Sequence, residues 1–411
     1  MSRKLEKQLI VGLDVGTSKV SAIVGEVGSQ GDLEIIGFGS HPSRGLKRGV
    51  VVNIESTVQS IQRAIEEAEL MAGCQINAVW VGIAGSHVEN KVSNGVANIK
   101  EREVSQDDVD RVMDSARAIA LPDGQRILHV QPQEYVIDGQ DGIREPIGMS
   151  GVRLEAKVHI VTGALSAVNN IMKCVERCGL HVEGIILEQA ASASAVLSDD
   201  ERELGVALVD IGGGTTDIAV YVDGALRHSS VVGIAGDQVS NDIAVILRTP
   251  AHAAEQIKIN HACILRGEGG DEAIEVPSVG ERPPRRITRR SLSEIVEPRM
   301  DEILVHARDI LRRSGYEELI RAGVVLTGGS ARMNGLVDLA EEIFQMPVRL
   351  GVPQRATGLR EIVQNPQHAT GVGLLLHGIE QMTRGNVTGR GTEISALPLW
   401  DQMRRWFKGN F

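Results

Sequence analysis

The feature that most limits how this chain can fold is a short pattern that occurs twice. Near the start the sequence reads QLIVGLDVGTSKVSAIVGEV, residues 8–27, and later LGVALVDIGGGTTDIAVYVDG, residues 204–224. Each copy is an apolar strand, then Asp-Val-Gly or Asp-Ile-Gly with further small residues, then a second apolar strand. That pattern predicts a β-hairpin, with glycine where the backbone needs positive φ or close approach. Asp14 and Asp210 lie 196 positions apart, so two related halves that face one another are expected.

The chemistry follows from what such turns expose. Small residues let successive backbone N–H groups converge on an anion, and neighbouring hydroxyls add donors. The candidate phosphate contacts are Gly16, Thr17, Ser18 and Lys19 in the first turn, and Gly212, Gly213, Gly214 and Thr215 in the second. Asp14 and Asp210, at the strand ends, are candidates to hold a hydrated Mg²⁺, which keeps several waters and takes few carboxylates. Neither turn is a Walker A loop, since GxxxxGK[ST] is absent and a hairpin follows in place of a helix. Neither is a GxGxxG fingerprint that opens a helix. A third segment, AGVVLTGGSARMNGLVDLAEEIF, residues 322–344, reads as a buried strand, a Gly-Gly turn and an amphipathic helix. Gly328, Gly329 and Ser330 there suit close approach of a flat ligand or a phosphate.

Bulk properties bound the rest. At 411 residues the chain is too long for one compact core, so two or more domains are expected. A net charge of −11 argues against nucleic acid as the main partner. The opening MSRKLEKQLI is charged and runs straight into a strand, unlike a secretory signal. No run of 18 apolar residues exists to span a membrane. The four cysteines form no CxxC, and Cys174 and Cys178 read as buried free thiols of a reducing compartment. The eleven histidines include no HExxH, so no structural metal is expected.

In order and spacing, the three glycine sites resemble the phosphate 1, phosphate 2 and adenosine motifs of the actin, Hsp70 and sugar-kinase ATPases. ATGVGLLLHG, residues 369–378, looks like the small-residue helix that closes the second half of those folds. The insertions choose a branch. Between 85 and 163, the segments HVENKVSNGVANI, RILHVQPQEYVID and GVRLEAKVHIVTG alternate like strands, and SQDDVDRVMDSARAIA reads as a helix opened by Ser105 with Asp108 three later. A module at this place resembles the FtsA family, the bacterial actin homologues of the division ring. SRGLKRGVVVNIEST, GMSGVRLEAKVHIVT, DERELGVALVDIGGGTTDIAVY and EVPSVGERPPR carry the likeness, which spans essentially the whole chain.

The resemblance implies an actin-like ATPase fold of α/β class, two RNase H-like halves divided into subdomains. Residues 1–84 and 164–203 would form subdomain 1A, 85–163 subdomain 1C, 204–236 and 322–382 subdomain 2A, and 237–321 subdomain 2B. It implies ATP and Mg²⁺ as ligands, with weak hydrolysis. The water-orienting candidates are Glu188 and Gln189, in IILEQAASASAVL. It further implies self-association, recruitment of later division proteins through 1C, and binding of the tubulin-like FtsZ by its C-terminal tail at 2B. Arg299, in EPR beside the basic stretch RPPRRITRR of residues 282–290, is the candidate contact there. That stretch reads either as a solvated basic loop or as a docking site for an acidic peptide, and Pro298 either kinks the long helix or sets its first turn.

The chain ends LWDQMRRWFKGNF. Of ten Phe, Trp and Tyr residues in all, four fall in the last twelve positions. On a helical wheel Leu399, Trp400, Met403, Trp406, Phe407 and Phe411 share an arc of roughly 140°, while Asp401, Arg404, Arg405 and Lys408 lie outside it. Such a stripe usually packs on a protein's own core. Here it is rich in Trp and Phe, its polar face is basic, and a patternless Gly/Thr-rich stretch, residues 383–395, precedes it. These features predict an amphipathic helix over 396–411 that lies in an anionic membrane surface. The resemblance agrees, and implies a peripheral protein on the cytoplasmic face of the inner membrane at the septum. The competing readings are a sugar or metabolite kinase, a pilus-assembly actin homologue and an Hsp70-type chaperone. The kinase needs no such tail, the pilus protein is not expected to carry one, and the chaperone needs a large domain after residue 380.

Overall fold

The computed structural model describes residues 8–383, apart from 29–30, 266–269 and 281. Both predicted hairpins form, and each is the seed of one sheet. Gln8–Val15 pairs antiparallel with Lys19–Val27, and Leu33–Pro42 continues the meander. The parallel strands Ala78–Ile83 and His181–Leu187 are then added on the other side of Gln8–Val15. In the second half Val206–Ile211, Thr216–Val222 and Ala225–Val232 make the same meander, and Val324–Thr327 and Val348–Leu350 are the parallel additions. Three antiparallel strands followed by two parallel ones, in the same spatial order, is the internal duplication that the two hairpins predict. The central strands Ala78–Ile83, Val206–Ile211 and Thr216–Val222 are buried at every position, as befits strands covered on both faces.

Each half has its own apolar core, and a further cluster joins them. Ile10 and Trp80 of the first sheet and Leu208, Ala219 and Val325 of the second pack around two helices, Glu188–Val196 and Ala369–Thr383. The first connects the halves in sequence. The second, expected to close the second half, instead lies against the first sheet and the connecting helix. Strand Thr357–Gly358 also joins the first sheet, beside Leu33–Pro42. The chain therefore returns to its first half well before residue 382. The small residues of ATGVGLLLHG serve close helix packing there, not a face of the second sheet.

The inserted module forms as predicted: strands Glu89–Asn98, Gln125–Ile137 and Arg153–Ala164, with Gln140–Ile143 as an added edge strand, and helix Gln106–Arg117. It has a core of its own, with Val112, Leu154, Val158 and Ile160 at its centre. A polar seam docks it on the second half and on the segment that leads into it: Gln133 Nε2 donates to Leu226 O at 3.0 Å, and Arg144 makes a double ion pair with Glu203 at 2.7 Å.

Two expectations for residues 282–299 are corrected. The basic stretch is not a loop, because Arg285–Thr288 is a strand and Arg289 opens the helix Arg289–Ser314. Pro298 and Arg299 consequently lie inside that helix, not at its start. Cys74, Cys174 and Cys263 are buried free thiols and Cys178 is half-buried. The predicted tail, Leu399 to Phe411, lies outside the described residues.

The module helix carries the expected cap. Ser105 N donates to Asp108 Oδ2 at 2.9 Å, and Asp108 N donates to Ser105 Oγ at 3.4 Å. The bonds donated to the carboxylate by Ser105 N and by Ser105 Oγ (2.7 Å), that from the backbone foremost, pull the Asp108 carboxyl down to about 2 from 3.8. Ser105→Ala should lower the stability of the module by about 1 kcal/mol in thermal unfolding. A depressed carboxyl stabilises fully above its unfolded pKa, so the gap between wild type and Asp108→Asn should close as pH falls from about 4 toward about 2.

Candidate functional site

The tips of the two hairpins meet across a cleft between the halves. A Cβ on Gly213 would overlap Ser18 Oγ, and one on Gly214 would sit 2.5 Å from Thr17 Oγ1. Glycine allows this approach, which accounts for Gly213 and Gly214 of the second turn. Ser18 Oγ donates to Asp237 Oδ1 at 3.1 Å, and Thr17 Oγ1 accepts from Gly49 N at 3.0 Å. The third glycine site closes the cleft from the side. Gly328 has φ +90, and a Cβ there would overlap Asp210 Oδ1, while Ser330 Oγ donates to Gly212 O at 2.9 Å. The three segments singled out in the sequence are thus one site. They line a cavity of about 440 Å³, large enough for a nucleotide-sized ligand.

The inner wall of the cavity is acidic. Asp14, Glu188, Asp210 and Asp217 all face it, with Lys19 and Arg332 as the nearby cations. Burial pushes Asp14 up to about 6, opposed by Lys19 and helped by Asp210. Burial likewise raises Asp217 to about 8 and Glu188 well above the usual carboxylate range, with neighbouring carboxylates adding to both. Lys19 is lowered to about 8, again chiefly by burial. Asp217 Oδ2 accepts from Thr215 Oγ1 at 2.9 Å, while its Oδ1 is buried without a partner. Crowded carboxylates with an unpaired oxygen suit a divalent cation. Among the described residues no three His, Cys, Asp or Glu side chains converge to cage one. The donor set therefore fits an ion that keeps its waters and is held through few carboxylates, as Mg²⁺ is.

Of the two water-orienting candidates, Glu188 lines the cavity, whereas Gln189 is fully buried off its wall. Arg299 is elsewhere, in a double ion pair with Asp242 at 2.6 and 3.2 Å and a second pair with Glu302. Sequence reasoning missed Asp217, Glu255, Lys258, Arg289 and Arg332, all of which line the cavity. Asp217 had a signal: it is the cross-strand partner of Asp210, as Ser21 is of Asp14. Glu255 and Lys258 are an i,i+3 pair on helix Ala251–His261, bridged at 2.8 Å, with Lys258 Nζ donating to Gly236 O at 3.1 Å. Arg289 arrives from the basic stretch and donates to His261 O.

Two like halves that close on a cleft lined by paired Asp-Gly turns define a protein of the actin-like ATPase fold. Solved structures agree on the fold. The PilM–PilN type IV pilus biogenesis complex matches at TM-score 0.64 and 16% identity, over 90% of this chain and 98% of that one. MreB5 of Spiroplasma citri bound to ADP matches at 0.56 and 14%, over 93% and 99%. The sequence relatives are much nearer. Cell division protein FtsA of Pseudomonas aeruginosa is 59% identical over 98% of both chains, and those of Escherichia coli and Neisseria meningitidis are 45% and 46% identical over 100% and 99%. The profile described as Cell division protein FtsA matches residues 207–373, and that of the SHS2 domain inserted in FTSA matches residues 85–162. The chain belongs to the FtsA family of cell division proteins.

If the facing turns hold phosphates, Gly213→Val should weaken ATP binding at least about tenfold, because the added side chain fills the gap beside Ser18. Titration with a fluorescent ATP analogue measures this; an unchanged affinity would remove the phosphates from these turns.

Proposed function

We propose that this protein is an ATP-binding, self-associating scaffold that ties FtsZ to the cytoplasmic face of the inner membrane at the division septum. The observation that carries the nucleotide part is the meeting of the two Asp-Gly hairpins across one cavity. In this reading Gly16 to Lys19 and Gly212 to Thr215 hold the phosphates with backbone N–H groups, hydroxyls and the Lys19 ammonium. Asp14 and Asp210 hold Mg²⁺ through its waters, and the ion supplies charge neutralisation at the phosphates. The nucleoside end lies toward Lys258, Ile259 and Met333, beyond Gly329. Glu188 is the water-orienting candidate. Burial, with the Asp14, Asp217 and Asp210 carboxylates nearby, raises its pKa well above the usual carboxylate range.

The remaining partners rest on the family and the sequence. The acidic tail of FtsZ docks on residues 237–321, where Arg285 and Arg286 are exposed and Arg299 is already shared between Asp242 and Glu302. The module at 85–163 takes part in self-association and receives later division proteins. The stripe from Leu399 to Phe411 anchors the chain to anionic lipid. Among the described residues no helix is long and apolar enough to cross a membrane, and a stripe of about 13 residues is too short to do so.

Two experiments test this reading. Trp406→Glu puts a charge into the apolar arc, at a cost of a few kcal/mol at an interface. Binding to anionic liposomes should fall at least about tenfold, with ATP affinity and melting temperature unchanged. A melting temperature lowered by several degrees would mean that the stripe packs on the folded body. Removal of residues 85–163 should leave ATP binding largely intact and weaken self-association; a soluble product that assembles normally would sink the role given to the module.

A further inference from the structure

The Asp210 carboxylate is held from behind by two hydroxyls that come from different helices. Ser192 Oγ donates to Asp210 Oδ2 at 2.6 Å. Thr370 Oγ1 lies 2.9 Å from Ser192 Oγ and donates to the same carboxylate oxygen at 3.4 Å. Ser192 is fully buried, and Thr370 is nearly so at the edge of the cavity. The other oxygen, Oδ1, lies against Gly328 at the cavity wall. The network thus occupies one carboxylate oxygen and turns the other toward the cleft.

The origins of the three groups give the network its meaning. Asp210 ends a strand of the second half. Ser192 is on the connecting helix and Thr370 is the second residue of the closing helix. Those helices approach closely, since a Cβ on Gly373 would overlap the backbone carbonyl of Ala191.

We propose that Ser192 and Thr370 are positioning residues for the metal-holding aspartate: they fix the Asp210 carboxylate so that Oδ1 is presented to the Mg²⁺ of a bound nucleotide. This rests on the reading of the cleft as a Mg²⁺–ATP site. Hydrogen bonds behind a metal-holding carboxylate orient it, and their loss typically costs about 10- to 100-fold in metal affinity. Neither hydroxyl needs to touch the nucleotide.

The test uses the full chain and a fluorescent ATP analogue, titrated with Mg²⁺ present and again in EDTA. Ser192→Ala and Thr370→Val should each weaken binding about tenfold in Mg²⁺ and leave binding in EDTA unchanged. They should also raise the Mg²⁺ concentration needed at fixed nucleotide. Thr370→Ser, which keeps the hydroxyl, should behave as wild type. Equal weakening with and without Mg²⁺, a Thr370→Ser variant as impaired as Thr370→Val, or no weakening at all would each overturn the proposal. Should Ser192→Ala not fold, the comparison of Thr370→Val with Thr370→Ser decides alone. Asp210→Ala separates the two levels. If it too leaves the Mg²⁺ dependence untouched, the site reading fails; if it abolishes that dependence while the hydroxyl variants do not, only the positioning role fails.

Discussion

The contact on which the rest of this molecule depends is the close packing of two small-residue helices, Glu188–Val196 and Ala369–Thr383. The first is buried on almost every side, with Gln189, Ala191, Ser192, Ala193 and Ala195 among its buried residues. Larger side chains would hold the helices apart, since the backbone of Ala191 already meets Gly373. Around this pair the two halves share one apolar cluster, which joins them beside the cleft. Both helices also begin at the cleft, with Glu188 and Thr370 in their first turns. Their N-termini add partial positive charge where phosphates would gather.

The second constraint is electrostatic. Among the described residues five carboxylates and four cations line one cavity, and burial is the leading cause of the upward shifts of Asp14, Glu188, Asp210 and Asp217. The hydroxyls of Ser192, Thr370 and Thr215 offset part of that cost by donating to Asp210 and Asp217. Arrangements of this kind disfavour simultaneous ionisation and favour a bound cation. The Ser18–Asp237 bond adds a polar link across the same gap, between the first hairpin and helix Gly236–Leu247. Cleft geometry and cleft charge are therefore linked through the same few side chains.

Much of the site was legible in the chain. The hairpins around Asp14 and Asp210, the Gly328–Gly329 turn, and the strands and capped helix of the module could all be read, because a turn, a cap or an alternating strand is specified by near neighbours. Asp217 escaped because its meaning comes from cross-strand register with Asp210, and in the sequence it is one more acidic residue after a threonine pair. Glu188 and Gln189 could not be told apart, since adjacent residues on a helix point about 100° apart and only the packing says which one faces the cavity. Arg299 read as an available cation because its partner Asp242 is 57 positions away.

What the sequence by itself determined is the local grammar: two Asp-Gly hairpins in duplicate, a third glycine turn, an inserted α+β module and an amphipathic stripe at the end of the chain. Each hairpin, turn, strand or helix among these is encoded within about twenty residues, where propensity and hydrophobic period act. Tertiary structure alone decided that the closing helix returns to the first half, and which carboxylates share a cavity. It also decided which hydroxyls hold Asp210. Ser18 and Asp237 are 219 positions apart, Ser192 and Thr370 are 178 apart, and Thr370 and Asp210 are 160 apart. No local preference specifies such pairs. Ser192, Thr370 and Asp210 meet because two close-packed helices are buried against the sheets, and Ser18 reaches Asp237 because the two halves close on one cleft.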